Sequence, residues 1–512
     1  MLGTLLIQSA AKFPDKIALI TEQQQVTYSE LHLLSNRLAS SFMAEKIKKR
    51  DCIAFLLPNC LEIVLTYYAC FTMGAIALPV NINFNDAMIN QVLAFCKARV
   101  LITNAEFYQR LIKNKEALEG IEHCFLIQDA SDYPETKDFK DLILKSPSIQ
   151  FPQLLEDDPA LIYYTSGTTG LPKAVLHTHR GLMQGTNNQI EQIQINVNDS
   201  TLVMFPLCYL IGLGSQILPF HQVGATIVLL SAFDPQKALK SIIENRITKV
   251  YGFPKLYLEL LSQADRDCVA NNVLNFCFSG GEAIAPALQE RFKDIFKIEI
   301  TEGCGMSELQ IYCMNPPYGK KKLGSIGFPI VNVEMRLIDE KGLAVVESHS
   351  IGEVIVKTGS MTAGYWHNEG LTQQIIKQGW FHTGDLAYHD AEGCYWFVSR
   401  KADIIKRSSL LISPLEIENL FYKDPEIKEA AAVALKGVEN DKIIVFVLLN
   451  AGVSDHAADS LLDFANQSLP REKQVDHVEI VNQMPYGVTG KINRKELRQW
   501  AEKYNQIKHA QE

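Results

Sequence analysis

Residues Tyr163-Tyr164-Thr165-Ser166-Gly167-Thr168-Thr169-Gly170-Leu171-Pro172-Lys173 place four hydroxyl side chains, two glycines and a lysine in the nine positions from Thr165 to Lys173, behind the apolar run Leu161-Ile162-Tyr163-Tyr164. Glycines let a backbone curl until successive N–H groups point at one anion, hydroxyls donate further hydrogen bonds, and the lysine adds positive charge. The stretch therefore predicts a phosphate-holding loop and a nucleotide ligand. A Walker loop would need four residues between its first glycine and a Gly-Lys-Ser/Thr triplet. Here Gly167 is followed by Gly170, and the lysine comes only after Leu171-Pro172. A surface turn can share this composition; the ordered spacing behind an apolar run favours the phosphate loop.

Working outward, 512 residues exceed what one hydrophobic core organises and predict at least two domains. The 49 Lys and Arg against 58 Asp and Glu give a net charge of −9, with no long basic run beyond Lys320-Lys321-Lys322. That balance argues against nucleic acid as a partner. The 11 cysteines contain no C-x-x-C pair, so neither a disulfide framework nor a zinc knuckle is indicated and a reducing compartment is expected. Met1-Leu2-Gly3-Thr4 has no basic stretch of the kind that opens a signal peptide, and His509-Ala510-Gln511-Glu512 no peroxisomal or reticular address. A cytoplasmic setting is the expectation. Residues 63–80 are free of charge, the length at which a membrane helix is considered. Gly74, Pro79 and the polar side chains within the segment predict instead a buried helix, a break at Gly74 and a buried strand Ala75–Val80.

Apolar runs at Ile17–Ile20, Cys52–Leu57, Ile76–Val80, Val100–Thr103 and Cys124–Ile127 alternate with helical patterns. One of these opens on Thr27-Tyr28-Ser29-Glu30, a capping box. The rhythm resumes at Thr226–Leu230, Lys249–Tyr251 and Asn275–Phe278, so two α/β subdomains with parallel sheets are predicted. From about Gly324 to Val398 short strands and glycine turns predict a mostly β subdomain. The last hundred or so residues read as a small α+β domain, in which Ser413-Pro414-Leu415-Glu416 supplies an N-cap, a first-turn proline and a capping glutamate. The expected division is 1–399 and 400–512.

Further motifs surround the loop. Phe276-Cys277-Phe278-Ser279-Gly280-Gly281-Glu282 ends an apolar run in small residues, which would let a flat ring lie on backbone. Glu302-Gly303-Cys304-Gly305-Met306-Ser307-Glu308 again brackets a hydroxyl and a carboxylate with glycines. Trp380-Phe381-His382-Thr383-Gly384-Asp385-Leu386 offers a turn aspartate. Ser399-Arg400-Lys401-Ala402-Asp403 and Met484-Pro485-Tyr486-Gly487-Val488-Thr489-Gly490-Lys491 place a cation at the junction and another in the small domain. Taken singly, most of these have ordinary readings as turns or solvated charges.

Together, in this order and over essentially the full length, they resemble the adenylate-forming enzymes: acyl-CoA synthetases, aryl-CoA ligases, amino-acid adenylation domains and beetle luciferases. The resemblance implies that Thr165, Ser166, Gly167, Thr168, Thr169, Gly170 and Lys173 hold the triphosphate of ATP. It implies that Gly280, Gly281, Glu282, Gly303 and Cys304 line the adenine, and that Asp385 and Arg400 take the ribose and phosphate. Ser307 is implied near the α-phosphate, Glu308 on Mg²⁺, and Lys491 as the catalytic lysine between substrate carboxylate and α-phosphate. His382 is read as supporting structure and not as a base. The implied fold is α/β, a large N-terminal domain of two α/β subdomains and a β subdomain with a small mobile α+β C-terminal domain.

The activity so implied is activation of a carboxylic acid by ATP to an acyl-adenylate with release of pyrophosphate, then transfer to a thiol, most readily coenzyme A. A pocket is expected from Tyr209, Gly212, Tyr251, Phe253 and Met306, the last three of which read equally well as plain core. The segment Phe205–Gly212 has no acidic residue to balance an ammonium group, so a fatty or aryl acid fits better than an amino acid. Three departures from the pattern stand out. Cys304 replaces an aromatic, Ala402 replaces the charged hinge, and Arg407-Ser408-Ser409-Leu410-Leu411 lacks the glycines that line the pantetheine path in CoA ligases. Loading of an acyl or peptidyl carrier protein therefore stays open beside CoA, as does a nucleotide-binding protein without turnover.

Overall fold

The structure is a computed structural model of the 512-residue chain. It describes all residues except 114–117, 146, 166–172, 266–268, 282–283, 408–409, 425, 438–439, 451, 454–457, 488–491 and 512; for Thr165 and 504–511 it describes the backbone alone. The chain divides into two compact units, one formed by 1–165, 172–335 and 356–381, the other by 336–355 and 382–512.

The first unit is built on two sheets. In one, the strands lie in the order Gly364–Tyr365, Lys173–Thr178, Pro159–Thr165, Ile76–Pro79, Cys52–Leu56, Ala98–Thr103, His123–Leu126 and Lys137–Asp138. Pairing is parallel from Pro159–Thr165 onward and antiparallel at the Lys173–Thr178 side. The other sheet has nine strands. Its parallel core runs Ile300–Met306, Phe276–Ser279, Lys249–Gly252, Ser200–Val203, Thr226–Leu229 and Ile17–Ile20, with antiparallel strands at both edges. Strand Ser200–Val203 has the next strand in sequence on one side and the one after it on the other, which makes it a topological switch point. Ligands of open α/β sheets bind beyond the carboxyl ends of the strands at such points.

The helices follow their sequence signals. Thr27 caps helix Tyr28–Ala44 with its hydroxyl on the Glu30 N–H, and Glu30 returns a bond to the Thr27 N–H at 2.8 Å, completing the capping box. Helix Leu61–Met73 is buried nearly all round and ends at Gly74 with φ +74°, before strand Ile76–Pro79. The charge-free segment is thus a core helix and strand. No helix among the described residues is long and apolar enough to cross a membrane.

In the second unit, the part of strand Trp380–His389 from Asp385 onward pairs antiparallel with Tyr395–Arg400, placing Asp385 opposite Arg400. Strands Ile427–Leu435, Lys442–Leu449 and His477–Ile480 form a three-stranded sheet covered by helices Pro414–Phe421, Ala458–Ser468 and Arg494–Gln511. One local expectation fails. Ser413 occupies the N-cap of Pro414–Phe421, but its hydroxyl donates to the Val398 carbonyl and makes no cap bond. A tertiary acceptor has displaced the capping box.

Candidate active site

The carboxyl ends of the sheet strands gather the motif residues of the first unit. Strand Phe276–Ser279 leads to Gly280 and Gly281, strand Lys249–Gly252 to Phe253, and strand Ile300–Met306 to Ser307 and Glu308. Glycine at 303 is a packing requirement. A Cβ there would lie 2.6 Å from Cε2 of Phe278 and 2.7 Å from the Cys313 carbonyl oxygen; one at Gly280 would lie 3.0 Å from Cε1 of Phe278. The same ring thus sits beneath both glycines. Gly281 has φ +86°, a left-handed turn that glycine adopts at little cost. Glu302 ties this floor together: its buried carboxylate accepts from the Ile284 N–H at 3.3 Å and the Gly324 N–H at 2.9 Å. Burial raises its pKa against those two donors. Cys304 Sγ lies 3.0 Å from Tyr312 Oη.

Glu308 is 9 % exposed. Its Oε1 accepts from Tyr365 Oη at 2.7 Å, and its carbonyl accepts from the Thr362 N–H at 2.6 Å. Tyr365 sits opposite Val175 in the short strand beside Lys173–Thr178. Burial and then the Glu308 charge push its hydroxyl above the usual phenol range, so it remains a donor. Lys173 Nζ stands 5.3 Å from the centroid of the same ring, within cation–π range. One tyrosine therefore brings Lys173, expected to hold phosphate, and Glu308, expected to hold Mg²⁺, into a single constellation. Thr165 and Lys173 are register partners at the two ends of the loop. Ser166, Gly167, Thr168, Thr169 and Gly170 lie outside the described residues, as do Glu282 and Lys491. Beside Lys491, Tyr486 and Ile492 form an antiparallel bridge.

His177 was not singled out in the sequence, yet its Nε2 lies 2.6 Å from the Ser307 carbonyl oxygen. A carbonyl only accepts, so Nε2 bears the proton and donates. Nδ1 is buried and has no hydrogen-bond partner, and burial lowers the ring's pKa to about 4. A neutral imidazole therefore anchors the Ser307–Glu308 turn. The available signal was a histidine that follows the apolar run Ala174-Val175-Leu176 within the strand.

Of the expected pocket residues, Tyr209 and Gly212 follow the switch-point strand Ser200–Val203, Tyr251 and Phe253 belong to the neighbouring strand and its end, and Met306 ends strand Ile300–Met306. Tyr209 accepts at Oη from Asn81 Nδ2 at 3.1 Å, and burial pushes its hydroxyl up to about 12. Gly212 follows in the short turn Leu210–Gly212, where a Cβ would lie 3.0 Å from Leu207 Cδ2. The Phe253 and Phe205 rings are 5.8 Å apart. Met306 pairs with Gln310 across the hairpin. Tyr251 is fully buried, with ring centroids of Phe276 and Phe278 at 5.7 and 5.9 Å, and its hydroxyl has no hydrogen-bond partner. Two further residues fix this wall. Asn59 donates to the Phe205 and Leu230 carbonyls and accepts from the Leu207 N–H, and Tyr67 Oη donates to the Leu207 carbonyl at 2.7 Å.

In the second unit, Arg400 Nε lies 2.8 Å from Oδ1 of Asp385, which is 2 % exposed. Arg400 Nη1 also donates to the Thr383 carbonyl at 3.2 Å. The Thr383 hydroxyl accepts from the Asp385 N–H and donates to the Val354 carbonyl. The residues expected to take the ribose and the phosphate are thus cross-strand partners. His382 Nδ1 lies 3.8 Å from Glu353.

Among the described residues no group of three or more His, Cys, Asp and Glu could cage a metal ion. The buried carboxylate of Glu308 suits Mg²⁺ in its usual mode, bound by one or two carboxylates plus substrate phosphates. Tyr365 leaves that carboxylate oxygen lone pairs for a hard cation.

Comparison with known proteins bears on this geometry. Residues 6–366 match the family model described as AMP-binding enzyme, and 416–491 match the AMP-binding enzyme C-terminal domain. A long-chain-fatty-acid–CoA ligase of Bacillus subtilis (strain 168) is 28 % identical over 97 % of this chain and 94 % of its own. The crystal structure of the anthranilate CoA ligase AuaEII with anthranoyl-AMP superposes with a TM-score of 0.88 at 26 % identity, covering 98 % of this chain and 97 % of that one. O-succinylbenzoate coenzyme A synthetase from Bacillus subtilis, in complex with ATP and a magnesium ion, gives 0.86 at 26 % identity over 97 % and 99 %. With those structures it shares a mixed α/β architecture of a large N-terminal and a small C-terminal domain. Its two domain models occur in order along one chain, and it belongs to the AMP-binding enzyme family.

Proposed function

We infer that the protein is an AMP-forming acid–thiol ligase that activates a fatty or aryl carboxylic acid with ATP and passes it to coenzyme A. The observation that carries this reading is the Lys173–Tyr365–Glu308 constellation at the phosphate loop. Two anions, a carboxylate and a triphosphate, must meet, so the site has to neutralise charge and hold the attack in line. A carboxylate oxygen of the acid bonds to the α-phosphorus, the bond from that phosphorus to the bridging oxygen breaks, and pyrophosphate leaves. In this proposal Lys173 and the loop from Thr165 grip the departing phosphates, and Lys491 offsets charge between the acid and the α-phosphate. Ser307 and Glu308 are held by His177 and Tyr365. Mg²⁺ on Glu308 would supply further charge neutralisation at the phosphates. The thiolate then attacks the acyl carbon, AMP leaves, and a thioester results.

The boundary we propose is 1–399 for the AMP-binding domain and 400–512 for a mobile domain that delivers Lys491. A cytoplasmic setting belongs to the same proposal; the ten described cysteines are all free thiols. A second reading of the acceptor, a carrier-protein phosphopantetheine, is favoured by the exposed Leu410 and Leu411 beside the junction. The test is carboxylate-dependent exchange of pyrophosphate into ATP over a panel of acids, followed by addition of CoA or holo carrier protein. Exchange with CoA-dependent release of AMP is expected. Removal of Lys491 as alanine should slow exchange by about a hundredfold to a thousandfold, by analogy with preorganised oxyanion donors. Full exchange by that variant would take the catalytic role from Lys491.

A further inference from the structure

Gln310 opens the return strand of the site hairpin, two residues after Glu308 and opposite Met306. Its backbone has φ +63° and the residue is 5 % exposed. A side chain rarely accepts the left-handed region, and such outliers persist where the surroundings demand them. The amide reaches helix His179–Ile193, where Nε2 donates to the Gly181 carbonyl at 3.1 Å. Oε1 is buried without a hydrogen-bond partner. The niche around it is cut from glycines: a Cβ at Gly185 would lie 2.1 Å from Oε1, and one at Gly214 3.0 Å. Gly214 belongs to the π-helical turn Leu213–Ile217, continuous with Leu210–Gly212. π-turns occur mostly as local bulges, often at functional sites.

Three unfavourable features meet on this one side chain: a left-handed backbone, an unsatisfied buried acceptor, and helical glycines that make room for it. The left-handed backbone closes a three-residue hairpin loop whose ladder shifts register between Cys304 and Gly305; the unsatisfied acceptor and the cleared glycines are demanded by no strand pairing. The residues that flank the niche, Met306 and Gly212, are those expected to line the acid pocket. On the acid-ligase reading, an acid whose carboxylate meets the α-phosphate near Ser307 and Glu308 would run past Met306, the residue paired with Gln310.

We propose that Gln310 is a plug that sets the depth of the acid pocket, so that the enzyme takes compact acids, aryl or short-chain, in preference to long fatty acids. The proposal rests on the acid-ligase reading above. Replacing Gln310 with glycine would open a groove lined by Gly181, Gly185, Leu210 and Gly214, and would suit the left-handed backbone.

Pyrophosphate exchange measured with benzoate, butyrate, hexanoate, decanoate and palmitate tests it on the wild type, Gln310→Gly and Gln310→Met. The wild type should favour benzoate and the short acids over palmitate. Gln310→Gly should gain about tenfold in kcat/KM for decanoate relative to hexanoate, the gain expected from two or so further buried methylenes, with KM for ATP unchanged. Gln310→Met fills the same length without the amide and should keep the wild-type order. A wild type that prefers palmitate overturns the plug without recourse to any variant, and so does a folded glycine variant with an unmoved order. Absence of exchange with every acid would overturn the ligase reading itself and the plug with it.

Discussion

Tyr365 shows how much a single side chain decides in this site. Its hydroxyl is the hydrogen-bond donor at 2.7 Å to Oε1 of Glu308, and its ring lies under Lys173. A hydrogen bond to a charged group contributes about 1.5–3 kcal/mol, so Tyr365→Phe should weaken divalent-ion binding in the presence of ATP by roughly tenfold to a hundredfold. Mn²⁺ titration followed by electron paramagnetic resonance reads this without turnover, and KM for the acid should move little. Unchanged Mn²⁺ affinity would remove Tyr365 from the site. Glu308 is singled out by its own motif, whereas the tyrosine that holds it is 57 positions away, and nothing local to Gly364-Tyr365 tells which carboxylate its hydroxyl meets. His177 is harder still to anticipate, being 130 positions from the carbonyl it holds. Local patterns point to groups expected to touch ligand; the groups that hold them in place are fixed by sheet register, which no local pattern encodes.

At the scale of elements, the hairpin Ile300–Met306 and Gln310–Met314 concentrates the packing constraints. Gly303→Ala would drive a methyl group to 2.6 Å from the Phe278 ring and 2.7 Å from a backbone oxygen. The ring can shift, but the carbonyl is tied into the sheet. A loss of about 1–3 kcal/mol is expected for overpacking of this kind, read as a lower urea midpoint, together with weaker ATP binding. A variant as stable as the wild type would mean that the hairpin yields. The eight strands read from apolar runs lie within two residues of their observed bounds, because in parallel sheets both faces are buried and apolar runs stand out. Gly74 and the Thr27 capping box were readable because one residue or one spacing determines each. Ser413 carries an equally good cap signature and does otherwise, since its hydroxyl meets the Val398 carbonyl first. The glycines were read as a bed for a flat ring; two of them are also cleared for a protein ring, Phe278, a reason that only packing reveals.

For the whole molecule, the distribution of buried histidines predicts how it responds to acid. His177, His179 and His221 all lie in the first unit and are buried. Burial lowers each to about 4 from 6.5, against a hydrogen bond to the Ser307 carbonyl for His177, the Asp158 charge for His179 and a hydrogen bond to the Ala18 carbonyl for His221. Between pH 6.5 and about 4 the unfolded chain binds these three protons and the folded chain does not. Stability must therefore rise with pH through that window and fall as acid is added, by up to about 4 kcal/mol per pH unit where all three contribute fully. Asp158 extends the loss: burial would raise its pKa, but Lys49, the Leu155 N–H and Arg50 outweigh that and hold it at about 2, below its ordinary 3.8. Its contribution disappears as pH falls below 3.8 toward 2. Unfolding at pH 5 should take up close to three protons, measurable from the pH dependence of the urea midpoint or by calorimetry in buffers of different ionisation enthalpy. His221→Gln should reduce the uptake by about one proton. An uptake near zero would mean that the three rings are charged in the folded state, and a charged His177, with a second N–H on the buried Nδ1, would no longer fit its place behind Ser307.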